Sequence, residues 1–205
     1  MADATTHQPE VEADGCPVCV VYEAHRASVV RVSTPEGQGT GLLVCEAGVI
    51  LTNAHAVGMA KEVRIETDRG TMTRGRVVRT DTDADLALIK ADATDVRWHH
   101  EPWDHAAPPR IGTKVFIIGH PLGLGWTVTE GLVSGTRAAG TIAPIDLIQT
   151  NAAINAGNSG GPVFDPQGRV VGLVRSKLVG SGVESISFVN PWGIVRKFIA
   201  GTPVP

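Results

Sequence analysis

From Ala27 onward the chain runs in short apolar stretches broken by Gly, Pro and Asp, the pattern of strands joined by tight turns. Alternation is strict in Glu62-Val63-Arg64-Ile65-Glu66, which predicts one buried face and one wet face. In the first half the pattern predicts strands over Ala27–Val32, Gly39–Val44, Val49–Thr52, Glu62–Thr67, Thr71–Arg79 and Leu86–Lys90. Thr34-Pro35-Glu36-Gly37, Asp68-Arg69-Gly70 and Asp81-Thr82-Asp83 supply turns between them. In the second half the expected strands are Lys114–Ile118, Thr127–Val133, Asp146–Thr150, Pro162–Phe164, Val170–Lys177 and Ser185–Asn190. This predicts an all-β protein of two six-stranded antiparallel β-barrels, residues 26–108 and 109–200. Pro191–Ala200 carries Ile194, Val195, Phe198 and Ile199 at helical spacing, so a C-terminal helix is expected on the second barrel.

Composition narrows the partners. The chain has 205 residues and is 42% hydrophobic, enough to bury a core. Its 24 Gly and 13 Pro, with 4% aromatics, suit strands and turns better than a helical bundle. A formal charge of -3 and no Lys/Arg run argue against nucleic acid. Apolar runs such as Val115–Gly119 fall far short of the ~20 residues that cross a bilayer, so no membrane partner is expected.

Residues 1–25 read as a flexible acidic segment. Met1–Gly15 shows no basic start, apolar stretch or Ala-x-Ala site. The expected address is the cytoplasm, or outside it if a native leader has been lost. Cys16-Pro17-Val18-Cys19 lacks the second pair that a zinc site needs, which leaves a local disulfide or a solvated tail beside a metal site. Cys45 ends an apolar run and reads as a buried thiol. Between the halves, Trp98-His99-His100-Glu101-Pro102-Trp103-Asp104-His105 is rich in ligand types, but Pro102 breaks any helix that would align them. It reads as a linker, and no metal or other cofactor is expected.

The strongest local signal is Gly157-Asn158-Ser159-Gly160-Gly161-Pro162. A serine among glycines lets backbone N–H groups converge beside a nucleophile, as an oxyanion hole requires. Gly160-Gly161-Pro162 blocks the helix that follows the serine in α/β-hydrolases. The serine needs a base. His7 and His25 lie in or near the tail, His99, His100 and His105 in the linker, and His120 beside Pro121 in a turn. His55, just past the apolar strand Val49–Thr52, is the candidate. Asp85 opens the apolar run Leu86–Lys90, where an unpartnered carboxylate is costly, so a fixed donor such as an imidazole N–H suits it. His55, Asp85, Ser159 is the chymotrypsin-type order.

With those residues in place, five blocks resemble the HtrA (Deg) family of serine proteases: Thr52–His55, Asp85–Lys90, Ile118–Gly125, Gln149–Asn155 and Gly157–Pro162. The resemblance spans about Gly37 to Val195 and implies a trypsin-like double barrel with the site between the barrels. It implies His55, Asp85 and Ser159 as a catalytic triad, with Gly157, Asn158 and Ser159 at the oxyanion hole. Ala153, Ile154, Ile186, Ser187 and Phe188 would line a small apolar pocket for Val, Ala or Leu. The expected partners are proteins or peptides, bound as extended strands. Where the family commonly has Pro and Asn or Ser, this chain has Ala156 and His120. A chain ending at Pro205 leaves no room for the family's PDZ domains, and Tyr22 is the one aromatic available for its N-terminal trimer contacts. A homo-oligomer is therefore an open expectation. The competing reading is an idle trypsin-fold module that binds proteins without cutting them, and the intact set of three residues favours an enzyme.

Overall fold

The structure is a computed structural model, and it describes residues 15–92, 108–178, 180 and 185–201. The first barrel contains β1 (Val29–Ser33), β2 (Gln38–Cys45), β3 (Val49–Thr52), β4 (Glu62–Glu66), β5 (Met72–Asp81) and β6 (Leu86–Ala91), closed in the order β1-β2-β3-β6-β5-β4. The second contains β7 (Lys114–Gly119), β8 (Thr127–Arg137), β9 (Leu147–Thr150), β10 (Pro162–Phe164), β11 (Val170–Lys177) and β12 (Ser187–Pro191), closed in the order β10-β11-β12-β9-β8-β7. Every pairing is antiparallel, and closure removes the free sheet edges.

The period of two explains why several strands are apolar on both faces. In β6, Ala87 and Ile89 point into the first barrel's own core, while Leu86 and Leu88 point into a core shared with the second barrel. In β7, Val115 and Ile117 fill the second barrel, while Phe116 and Ile118 join the shared core. That shared core also holds Leu42, Leu51, Phe164, Leu173 and Trp192. Burying both faces fixes the barrels against each other, so residues at the seam hold defined positions. β4, with only one buried face, keeps the expected alternation.

Of the segment expected to be flexible, the described residues from Gly15 include a regular element. Pro17–His25 forms a helix, α1, with Pro17 in its first turn. Val21 is 3% exposed, and Val18 and Tyr22 pack beside it on the shared core. This stripe at helical spacing is short enough to be overlooked in an acidic leader. The Tyr22 hydroxyl donates to the Trp126 carbonyl within the same chain at 3.2 Å. Cys16 and Cys19 are joined as a disulfide, so this pair is neither a metal site nor a pair of free thiols. Cys45 is a free thiol but only half-buried, because it is the last residue of β2 and opens the turn into β3. The linker histidines fall outside the described residues. The C-terminal helix α3 (Trp192–Ala200) packs on β11 and β12 through Trp192, Val195 and Phe198. Among the described residues no helix is long and apolar enough to cross a membrane.

Candidate active site

Strand β3 ends at Thr52, and the chain turns directly into the one-turn helix α2 (Ala54–Val57), which carries His55. Asn53, fully buried, anchors this turn by donating its amide Nδ2 to the Asp85 carbonyl at 2.9 Å. Asp85 answers with its carboxylate. Oδ1 accepts the His55 backbone N–H at 3.0 Å, and Oδ2 lies 2.8 Å from His55 Nδ1. A carboxylate accepts here, so in the neutral imidazole this contact favours the tautomer with the proton on Nδ1 and the acceptor lone pair on Nε2. The Asp85 side chain is 11% exposed and that of His55 50%, so the pairing is sheltered while the ring reaches the cleft.

Ser159 lies in the turn between β9 and β10. Two glycines make the turn possible. Gly157 has φ 101°, and a Cβ there would stand 2.2 Å from the His120 carbonyl oxygen. Gly160 has φ 83°, and its Cβ would stand 2.2 Å from the Thr40 carbonyl oxygen. No side chain fits either position.

Thr40 of β2 ties this turn to the first barrel. Its N–H donates to the Ser159 carbonyl at 2.8 Å, and its hydroxyl donates to the Gly157 carbonyl at 2.6 Å. That hydroxyl in turn accepts the His120 N–H at 3.1 Å. At neighbouring Gly39 a Cβ would stand 2.9 Å from Ala56 Cβ and 3.1 Å from the Ser159 carbonyl oxygen, so α2 and the serine turn meet over this glycine. Among the described residues no hydrogen bond joins Ser159 Oγ to His55.

The N–H groups of the turn divide into two sets. Those of Asn158, Gly160 and Gly161 donate to the carbonyls of Asn155, Val174 and Asn158 at 3.0, 3.0 and 2.9 Å. Among the described residues, those of Gly157 and Ser159 have no backbone acceptor. Asn158, expected as a third oxyanion donor, is therefore committed through its N–H, and the residue is 1% exposed.

The expected pocket residues differ in burial. Ile154 is 6% exposed and packs in the second barrel's core with Val115, Ile117 and Val189, so it is a core residue where a pocket wall was expected. Ser187 and Phe188 are buried on β12, and the Ser187 hydroxyl donates to the Ala152 carbonyl at 3.3 Å. Ile186 is half-buried and Ala153 exposed. Beside His55 lies a cavity of about 300 Å³ lined in part by Gln38, Ala56, Val57 and Met59.

His120 precedes the short turn Pro121–Gly123, as its proline neighbour implied, and is fully buried. Its ring meets Trp126 edge-on, with centroids 4.2 Å apart. Burial, and next the charge of Arg31, push its pKa down to about 4, so it is neutral at neutral pH. Among the described residues there is no cluster of His, Cys, Asp and Glu suited to a metal ion.

Sequence reasoning did not single out Thr40, Asn53, Arg175 or Asn190. Thr40 did carry a signal, a polar residue between two glycines inside an apolar strand. The others act through partners distant in the chain.

A family model described as a trypsin-like peptidase domain matches residues 39–173. The chain is 38% identical over 173 residues to "Protease Do-like 1, chloroplastic" of Arabidopsis thaliana, covering 82% of this chain and 39% of that protein. It is 36% identical to "Serine protease HTRA1B" of Danio rerio, with 90% and 39% covered. It is 34% identical to a "Probable periplasmic serine endoprotease DegP-like" of Brucella suis, with 80% and 33% covered. The chain thus spans at most about two fifths of these relatives' length. Their names place two of them in chloroplast and periplasm and lend no support to the cytoplasmic address expected above. Among solved structures, a serine endoprotease from Yersinia pestis superposes with a TM-score of 0.76 at 30% identity, covering 88% of this chain and 64% of that one. An "HtrA-type protease AlgW with tripeptide" superposes at 0.81 and 28%, covering 89% and 62%.

Proposed function

Because this chain belongs to the trypsin-like peptidase family, with HtrA proteases as its relatives over the protease domain, we propose that it is a serine endopeptidase. It hydrolyses peptide bonds in extended or unfolded protein segments through His55, Asp85 and Ser159. The observation that carries this reading is the two-point grip of the Asp85 carboxylate on His55, facing a serine turn that Thr40 ties to the same barrel.

His55 Nε2 takes the proton as Ser159 Oγ attacks the scissile carbonyl, and later delivers it to the leaving amine. Asp85 holds the tautomer and stabilises the imidazolium that forms. The open N–H groups of Gly157 and Ser159 receive the oxyanion, each such donor being worth about 3–4 kcal/mol of transition-state stabilisation in comparable sites. The hydrogen bond from Ser159 Oγ to Nε2 forms with substrate bound, since catalytic hydrogen bonds often tighten only in the enzyme–substrate complex. No step calls on a metal or organic cofactor. Cleavage after Val, Ala or Leu suits the apolar side chains of Ile186 and Phe188, with no carboxylate at Ala153 to select Lys or Arg. Substrate binds by strand addition, and assembly into homo-oligomers belongs to the same reading.

The test is labelling by a fluorophosphonate probe together with casein digestion, in the wild type and in Ser159→Ala. Label and cleavage in the wild type alone are expected. A wild type that neither labels nor cleaves would move the assignment to the idle binding module. Peptides ending in Val should be cut faster than those ending in Arg, and the reverse order would overturn the pocket assignment.

A further inference from the structure

Asp85 has φ 53°, a left-handed backbone that a non-glycine residue seldom adopts, so its loop must be held from outside. The holders come from the other barrel. Arg175 Nη1 donates to the Ala84 carbonyl at 2.9 Å, and both Nη1 and Nη2 reach the Asp83 carbonyl at 3.3 Å. Asn190 Nδ2 donates to the same Ala84 carbonyl at 2.8 Å, while Asn190 Oδ1 accepts from Arg175 Nη1 at 3.3 Å. With Asn53 on the Asp85 carbonyl, the carbonyls of residues 83, 84 and 85 are all taken by side chains. The register of β11 explains why Arg175 is free to do this. Val174 pairs with Val189 and Ser176 with Phe188, so Arg175 is the extra residue of a bulge. A bulge re-aims its side chain out of the ladder, and here it crosses the seam.

We propose that Arg175, supported by Asn190, is a positioning residue: it clamps the backbone of residues 83–84 and thereby sets the Asp85 carboxylate against His55. The proposal deepens the protease reading and rests on it for its kinetic consequences. The planar fork of a guanidinium meets two adjacent carbonyls at once, which a lysine ammonium cannot reproduce. Ala84 is 4% exposed and Asn190 fully buried, so water competes poorly for the bonds to the Ala84 carbonyl. Without the clamp the loop relaxes toward ordinary φ values, and the carboxylate leaves the line to Nδ1.

The experiment compares the full chain with Arg175→Met and Arg175→Lys, each alone and in an Asp85→Asn background. Peptide hydrolysis gives kcat and KM, and proton NMR follows the downfield signal of the His55 Nδ1–H. We expect kcat to fall about tenfold or more in both Arg175 variants while KM stays within about twofold, and the downfield proton to shift or vanish. In the Asp85→Asn background the same substitutions should change kcat by less than about twofold, because the group they position is gone. Should Arg175→Met fail to fold, Arg175→Lys keeps the stem and charge and carries the test by itself. An unchanged downfield proton, wild-type kcat in Arg175→Lys, an effect confined to KM, or an undiminished loss in the Asp85→Asn background would each overturn the proposal. If the wild type is inactive the protease reading fails, and the NMR signal still decides whether Arg175 positions Asp85.

Discussion

His120 is fully buried with neither ring nitrogen hydrogen-bonded among the described residues, which is why protonation is disfavoured there. Its pKa falls from 6.5 to about 4 on folding, through burial first and Arg31 second. Between those values the unfolded chain binds a proton that the folded chain refuses. The associated stability is therefore complete above the unfolded pKa and drains away as pH falls toward the folded one. Its full size is on the order of 3 kcal/mol. Denaturant unfolding should thus show the wild type losing stability from about pH 7 to about pH 4, with a shallower slope in His120→Leu. Equal slopes would show that His120 is not the group responsible. The strained residues Asp85 and Leu122, both at φ 53°, lie one in the loop before β6 and one in the turn after β7. Strain of this kind survives only where neighbours over-determine it.

At the level of elements, α1 is more than a leader. Its Val21 reaches the core shared by Phe116 and Phe164, and His25 at its end stacks on Phe164 with ring centroids 4.6 Å apart. Tyr22 then connects the helix to Trp126, whose indole N–H donates to the Val29 carbonyl at 2.9 Å at the start of β1. The helix therefore rests on the second barrel and is linked to the first through Trp126. Val21→Ala should lower the unfolding free energy by about 1–3 kcal/mol, read from chemical denaturation, because it removes two buried methyl groups and leaves a cavity. A change within experimental error would mean that α1 is a dispensable cover.

Across the whole molecule, the site exists only because the barrels are locked face to face. Thr40 illustrates this. Its hydroxyl lies 117 residues from the Gly157 carbonyl in sequence and 80 from the His120 N–H, and it serves both. Thr40→Val keeps the shape but leaves a buried carbonyl and a buried N–H without that partner, a loss of about 1–3 kcal/mol. It should also lower kcat with little change in KM, since the serine turn loses its tie to the barrel bearing His55, and Thr40→Ser should restore the rate. A Thr40→Val enzyme of unchanged kcat would show that the N–H to Ser159 holds the turn unaided.

Much of this architecture was legible in the chain. Period-two alternation and turn residues located the strands to within a few residues, since both are local properties of the backbone. The residue types and their order along the chain singled out His55, Asp85 and Ser159. The tertiary structure alone decided the rest. The packing of α1, the burial of Ile154 in a barrel core, the commitment of the Asn158 N–H and the bulge that sends Arg175 across the seam all depend on contacts between distant segments. A local pattern states which face of a strand is apolar, but which partner meets that face, and which hydrogen-bonding group is left open, is settled only when the two barrels close upon each other.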